Sequence, residues 1–122
     1  MNEFSINWIF LIDTLNFSFW SDNELINYSL VNNTKPISIE KYTVIYNQIP
    51  YTGYWALCAA VNRALDEGFP ITEANYYAHI NETELKHIFR SDSSVQIPLL
   101  DSRLKILQET GKILLEVIQI FY

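Results

Sequence analysis

The sequence predicts a mainly α fold, α+β with one small antiparallel sheet or hairpin, and three observations carry that reading. Apolar residues recur in steps of three and four over Tyr51–Pro70 and again over Leu100–Phe121, the spacing that stacks side chains on one side of a helix. Two short runs of strand formers meet about Asn47-Gln48 in Y-T-V-I-Y-N-Q-I-P-Y, which reads as a hairpin. The chain of 122 residues is 49% hydrophobic and 15% aromatic, ample for the core of one domain spanning residues 1–122.

Taken in order, Ser5 is positioned to cap a first helix in which Ile6, Ile9, Phe10 and Asp13 share a face; a buried strand is the alternative for the run W-I-F-L-I. Leu15, Phe17 and Phe19 then alternate with Asn16, Ser18 and Trp20, a period of two that predicts an extended segment. Asp22 and Asn23 favour a turn, and the Asn-rich stretch from Asn27 to Ser38, broken by Pro36, reads as a loop. Tyr42 to Tyr51 forms a hairpin about Asn47-Gln48, with Pro50 confining the second strand to an edge.

The next helix is the centre of the chain. Its stripe of Tyr54, Leu57, Cys58, Val61, Ala64 and Leu65 must be buried, and Trp55, Ala56, Ala59 and Ala60 give its first two turns partners nearly all round. Gly68 closes it and Pro70 prevents continuation, while Arg63 is placed to offset Asp66 and Glu67 at the unfavourable end of the dipole. Thr72 and Asn81 are good caps, Asn81 with Glu84 in capping-box register, and Leu85, Ile88 and Phe89 make the apolar face of a short helix ended by His87 and Arg90. Pro98 fits the first turn of a last helix whose seam is Leu100, Leu104, Leu107, Gly111, Leu114, Ile118 and Phe121. Gly111 costs that helix ~1 kcal/mol relative to alanine, so it marks the close approach of a neighbouring backbone.

Composition narrows the function. A net charge of −6 gives no footprint for direct binding of a nucleic-acid polymer, whereas a small-molecule substrate remains open. No stretch approaches the roughly 20 apolar residues of a membrane span, and no secretory signal opens the chain. The single cysteine, Cys58, reads as a buried inert thiol, and its isolation suits a reducing compartment. His79 and His87 lack neighbours at metal-ligand spacing and read as surface histidines, so no metal is expected.

Several residues carry two readings. Asp13 stands among apolar neighbours, where a carboxylate is either satisfied by backbone and Thr14 or kept for a ligand, and Asn16 shares that ambiguity. Trp20, Tyr51, Tyr54 and Trp55 are either core aromatics or a platform for a planar base. The run Arg90-Ser91-Asp92-Ser93 either meets a phosphate or closes a helix.

Three stretches carry something more specific: N-W-I-F-L-I-D-T-L-N-F-S-F-W from Asn7 to Trp20, Y-T-G-Y-W-A-L-C-A-A-V-N-R-A-L-D-E-G-F-P-I-T from Tyr51 to Thr72, and R-S-D with the later I-P-L-L, Arg90 to Asp92 and Ile97 to Leu100. In this order they resemble the queuosine salvage proteins over roughly Asn7 to Glu116. The resemblance implies hydrolysis of the N-glycosidic bond of queuosine 5'-monophosphate with release of queuine, in a cytoplasmic enzyme of helical, DNA-glycosylase-like architecture that needs no cofactor. Departure of the base leaves positive charge on the ribose, which a carboxylate near the anomeric carbon stabilises. Asp13 and Asn16 are the candidate polar contacts to the substrate, with Phe17 and Trp20 as wall. The family's catalytic aspartate, in a motif reading like F-A-D-Y-R-x-P-Q, has no counterpart here and is expected beyond the end of this chain. The chain thus resembles the N-terminal portion of such an enzyme, the architecture being incomplete. The alternative is a non-catalytic helical module or inactive fragment, self-associating through exposed core surface.

Overall fold

The computed structural model describes residues 3–17 and 41–121. Their elements run α1 (Glu3–Leu15), β1 (Thr43–Tyr46), β2 (Ile49–Thr52), α2 (Gly53–Asp66), α3 (Ala74–Tyr77), α4 (Glu82–Ile88) and α5 (Leu100–Phe121). The fold is therefore mostly helical with one two-stranded antiparallel sheet, as expected.

The apolar run near the N-terminus is helix, not strand, but α1 begins before Ser5, so Ser5 lies within the helix and does not cap it. Its core face is Leu11, Ile12 and Leu15, with Trp8 partly covered, whereas Ile6, Ile9 and Phe10 face outward. Leu15 belongs to this helix and not to an extended segment; residues 18–40, with the expected turn and loop, lie outside the described residues.

The hairpin forms as its sequence requires. Thr43 to Tyr46 pair with Thr52 to Ile49, and Asn47 and Gln48 both take positive φ, 50° and 70°, the handedness that matches a two-residue turn to the twist of its strands. Tyr46 and Ile49 flank that turn as a hydrogen-bonded pair, so Ile45 and Pro50 form the next, non-bonded pair, where proline's missing N–H costs no ladder bond.

α2 follows directly and is the centre of the core. Ala56, Leu57, Cys58, Ala59, Ala60, Val61 and Ala64 are all buried, and α1, both strands and α4 pack on them. The small residues let those neighbours approach the helix axis closely. Tyr54 and Trp55 depart from the expectation: they are 37% and 65% exposed, although the residues that follow them in α2 are buried. At the other end Phe69 N–H donates to the Ala64 carbonyl at 2.9 Å and Gly68 N–H to Leu65 at 3.1 Å, a Schellman closure with Gly68 at φ +92°. Arg63 makes no hydrogen bond to Asp66 or Glu67, although its charge does help to hold the Glu67 carboxyl down, after the larger effects of Arg90 and His87. It turns to the Ile88 and Arg90 carbonyls and Asp92, while Arg90 pairs with Glu67 and the Tyr46 hydroxyl donates to Asp66.

Thr72 is buried and caps nothing; Glu73 occupies the N-cap of α3. Asn81 does cap α4, accepting from Glu84 N–H at 2.8 Å, but the Glu84 carboxylate accepts from the Tyr76 hydroxyl at 2.6 Å rather than closing the reciprocal box. Leu85, Ile88 and Phe89 are buried as their spacing predicts.

Pro98 was expected in the first turn of α5 but lies outside it, since Leu99 adopts φ +55° and the helix begins only at Leu100. Along α5 the seam is buried at Leu107 and Gly111 and partly covered at Leu100, Leu104 and Leu114, then surfaces, with Ile118 48% exposed. A Cβ on Gly111 would lie 2.7 Å from both Cα and Cβ of Ala78, just past α3, so the glycine does mark a close backbone approach.

Two predictions follow from this packing. Gly111→Ala gains helix propensity but forces α5 off Ala78, and overpacking should win, lowering stability by about 2 kcal/mol in urea denaturation. Burial and the bond to Glu84 push the Tyr76 hydroxyl up to about 12. A proton held more tightly in the folded state stabilises fully below the unfolded pKa and is lost as pH rises through the folded one. Between pH 10 and 12, Tyr76→Phe should therefore lose less stability than the parent chain, measured by urea midpoints across that range.

Candidate functional site

Arg103 organises the region that holds the sequence candidates. It lies one turn into α5, between Leu100 and Leu107 on the apolar face, and is fully buried. Its Nη1 donates to the Leu15 carbonyl at 2.8 Å, Nη2 to the Phe17 carbonyl at 2.7 Å and Nε to the Pro98 carbonyl at 2.9 Å, and the guanidinium lies 4.2 Å from the Phe17 ring centroid. Leu15 carries one of the last carbonyls of α1, which have no partner inside the helix, so the cation meets the negative end of that dipole. Burial pulls the guanidinium down to about 10, opposed by the Tyr42 hydroxyl, so it remains charged at neutral pH. Sequence reasoning passed over this residue. The signal was available: a lone basic side chain three residues after Leu100 and four before Leu107 sits on an apolar stripe.

The clamp sets the place of three candidates. Phe17 is half-buried beneath the guanidinium, while Asp13 and Asn16 are exposed at the end of α1. Asp13 does not take up Thr14, whose hydroxyl donates instead to the Phe10 carbonyl at 2.8 Å. Trp20 lies outside the described residues.

α1 and α2 run antiparallel. Trp8 Nε1 donates to Asn62 Oδ1 at 3.0 Å near one end, and at the other the Asp13 charge acts on the Tyr54 hydroxyl. That hydroxyl is held above the usual phenol range chiefly by its hydrogen bond with Cys58, one turn along α2, then by the Cys58 charge, burial and Asp13. The Tyr54 and Trp55 rings stand edge-to-face, 5.2 Å apart at 77°. The end of α1 and the start of α2 thus bring the Asp13 carboxylate near the Tyr54 phenol, with the Trp55 ring beside it, groups suited to a planar, polar-edged ligand. Cys58 is buried, and burial pushes its thiol up, as an inert cysteine requires.

The Arg90–Ser93 run is structural. Asp92 N–H donates to the Thr43 carbonyl at 2.7 Å, its carboxylate accepts from Ile45 N–H at 2.7 Å and Arg63 at 3.3 Å, and Ser91 Oγ meets Thr43 at both its N–H and its carbonyl. These bonds cover the outer edge of β1. Arg90 forks onto Glu67 at 2.7 and 3.2 Å. Both histidines are exposed: His79 Nδ1 lies 3.1 Å from the Asn75 carbonyl and the His87 ring packs beside Phe69.

A family model described as queuosine salvage protein matches residues 1–121. Among curated relatives, a protein from Mus musculus is 51% identical over 115 residues, covering 94% of this chain. One from Nematostella vectensis is 44% identical over 119 residues, 98% of the chain, and one from Sphaerobacter thermophilus 36% identical over 110 residues, 90% of the chain. All three bear the name queuosine 5'-phosphate N-glycosylase/hydrolase. The chain spans 28–30% of the length of these relatives.

Removing the clamp has a measurable cost. Arg103→Met keeps volume but strips donors from three carbonyls, and should cost about 3 kcal/mol or more in chemical denaturation, with Arg103→Lys recovering only part, since one ammonium cannot reproduce the fork.

Proposed function

Because the chain belongs to the queuosine salvage protein family, we propose that it forms the N-terminal portion of a cytoplasmic enzyme that hydrolyses the N-glycosidic bond of queuosine 5'-monophosphate and releases queuine for tRNA queuosine salvage. The observation that carries this is the match over residues 1–121, together with relatives named for that activity at up to 51% identity. The charge of −6 agrees with a mononucleotide substrate rather than a nucleic-acid polymer. Among the described residues no helix is long and apolar enough to cross a membrane. The helical body, completed by the rest of such an enzyme, would take a DNA-glycosylase-like architecture.

In this reading Asp13 and Asn16 supply polar contacts to the substrate, and Phe17 and Trp20 line the pocket wall. The exposure of Asp13 and Asn16 at the end of α1 supports it, as does the buried Arg103 clamp that fixes Phe17 beside them. A cation developing on the ribose as the base departs is stabilised by a nearby carboxylate, and the carboxylate that activates water belongs to the F-A-D-Y-R-x-P-Q motif that this sequence lacks. In this reading the chain supplies substrate contacts and not that carboxylate; the alternative is a non-catalytic helical module.

A chimera in which this chain replaces the matching third of the mouse relative should release queuine from queuosine 5'-monophosphate, followed chromatographically, while the isolated chain should not. A folded chimera that releases none would overturn the proposal. In that chimera Asp13→Asn deletes charge at an exposed position, so the melting temperature should hold while kcat/KM falls by about 100-fold, a loss of roughly 2.7 kcal/mol in transition-state stabilisation.

A further inference from the structure

We propose that the outward face of α1, continued by Tyr54 and Trp55 of α2, is the seat for the polypeptide that family members carry outside the third matched by this chain. The proposal rests on family membership and not on the catalytic reading. The middle of α1 is apolar nearly all round: of the seven residues from Ile6 to Ile12 only Asn7 is polar. Leu11, Ile12 and Leu15 bury one side, and Ile6, Ile9 and Phe10 leave the other 54%, 40% and 41% exposed. A helix apolar on every side belongs in the interior of a larger body, since a surface helix needs only one such stripe.

The patch crosses to the next helix. The antiparallel packing of α1 on α2 sets the Asp13 end of α1 beside Tyr54, and Trp55, at 65% exposure, is among the most exposed large apolar side chains described. Two of the exposed apolar residues of α5 have charged neighbours. Ile113 and Val117 of α5 alternate with exposed Lys112 and Glu116, the composition of a solvated face. Length points to the occupant: the relatives align with 90–98% of this chain yet extend over more than three times its span, so each carries a large further stretch of polypeptide available to cover this face.

Carbene footprinting of the chain alone and of its chimera with the mouse remainder tests this. Labelling of Ile9, Phe10 and Trp55 should fall by about fivefold or more in the chimera, while Ile45 and Ile49 on the hairpin change little. Unchanged labelling of the three in a cooperatively melting chimera would overturn the proposal. So would protection that appears in the isolated chain as it dimerises on size-exclusion chromatography, which would make a second copy the occupant. If the chimera does not melt cooperatively, the chain is co-expressed with the tagged remainder of the Nematostella relative. Phe10→Asp and Trp55→Asp should then cut co-purification of the chain by about tenfold and Ile113→Asp should not; equal recovery of all three refutes the proposal.

Discussion

Burying a guanidinium is among the most costly things a small core can do, and here the described fold turns on one. Arg103 is withdrawn from water by α5, and the several kcal/mol that this costs is offset by hydrogen bonds to three carbonyls and the face of an aromatic ring. Those carbonyls belong to the end of α1, the residues just past it and the entrance to α5, segments more than eighty positions apart in sequence. The cation therefore fixes where the first and last helices meet. It also fixes the direction in which the chain leaves α1.

The remaining packing is arranged about two close approaches. α2 presents mostly alanines to its neighbours, so the hairpin, α1 and α4 settle near its axis, and α5 presents Gly111 to Ala78. Between them the Arg90–Ser93 loop replaces a third strand, its backbone and side chains taking up the outward groups of Thr43 and Ile45. Arg63 binds the same loop through the Arg90 carbonyl and Asp92 and takes the Ile88 carbonyl at the end of α4 as well, which ties the far end of α2 to α4 and, through Asp92, to the sheet.

Local chemistry was legible at the Asn47-Gln48 turn, the Gly68 closure, the Asn81 cap and the Gly111 contact, which follow from residue type, but not at Ser5, Thr72 and Pro98, where the helix starts at another residue. Most of what else escaped was tertiary. Periodicity identifies a stripe, not which of two stripes faces inward, and for α1, apolar on both, the Ile6–Phe10 face was as good a candidate as the Leu11–Leu15 face that the core selected. Tyr54 fell on a well-formed stripe and Trp55 on the side expected to have partners, yet both are exposed. Arg63 and Glu84 chose partners distant in sequence over the local ones their spacing offered. Of the candidate site, Asp13, Asn16 and Phe17 are gathered at one helix end, but the residue that holds them there was hidden by its charge.

The hairpin has a consequence for how this chain behaves in a crowded solution. A two-stranded ribbon exposes two rims, each a template on which another chain can add itself and begin a fibril. One rim is stapled by Asp92 and Ser91. On the other, the outward position within β2 falls to Pro50, which offers no N–H to an incoming strand, leaving Thr52 at the start of α2 as the sole outward donor of that strand. The smallest sheet a protein can have is thereby kept from growing.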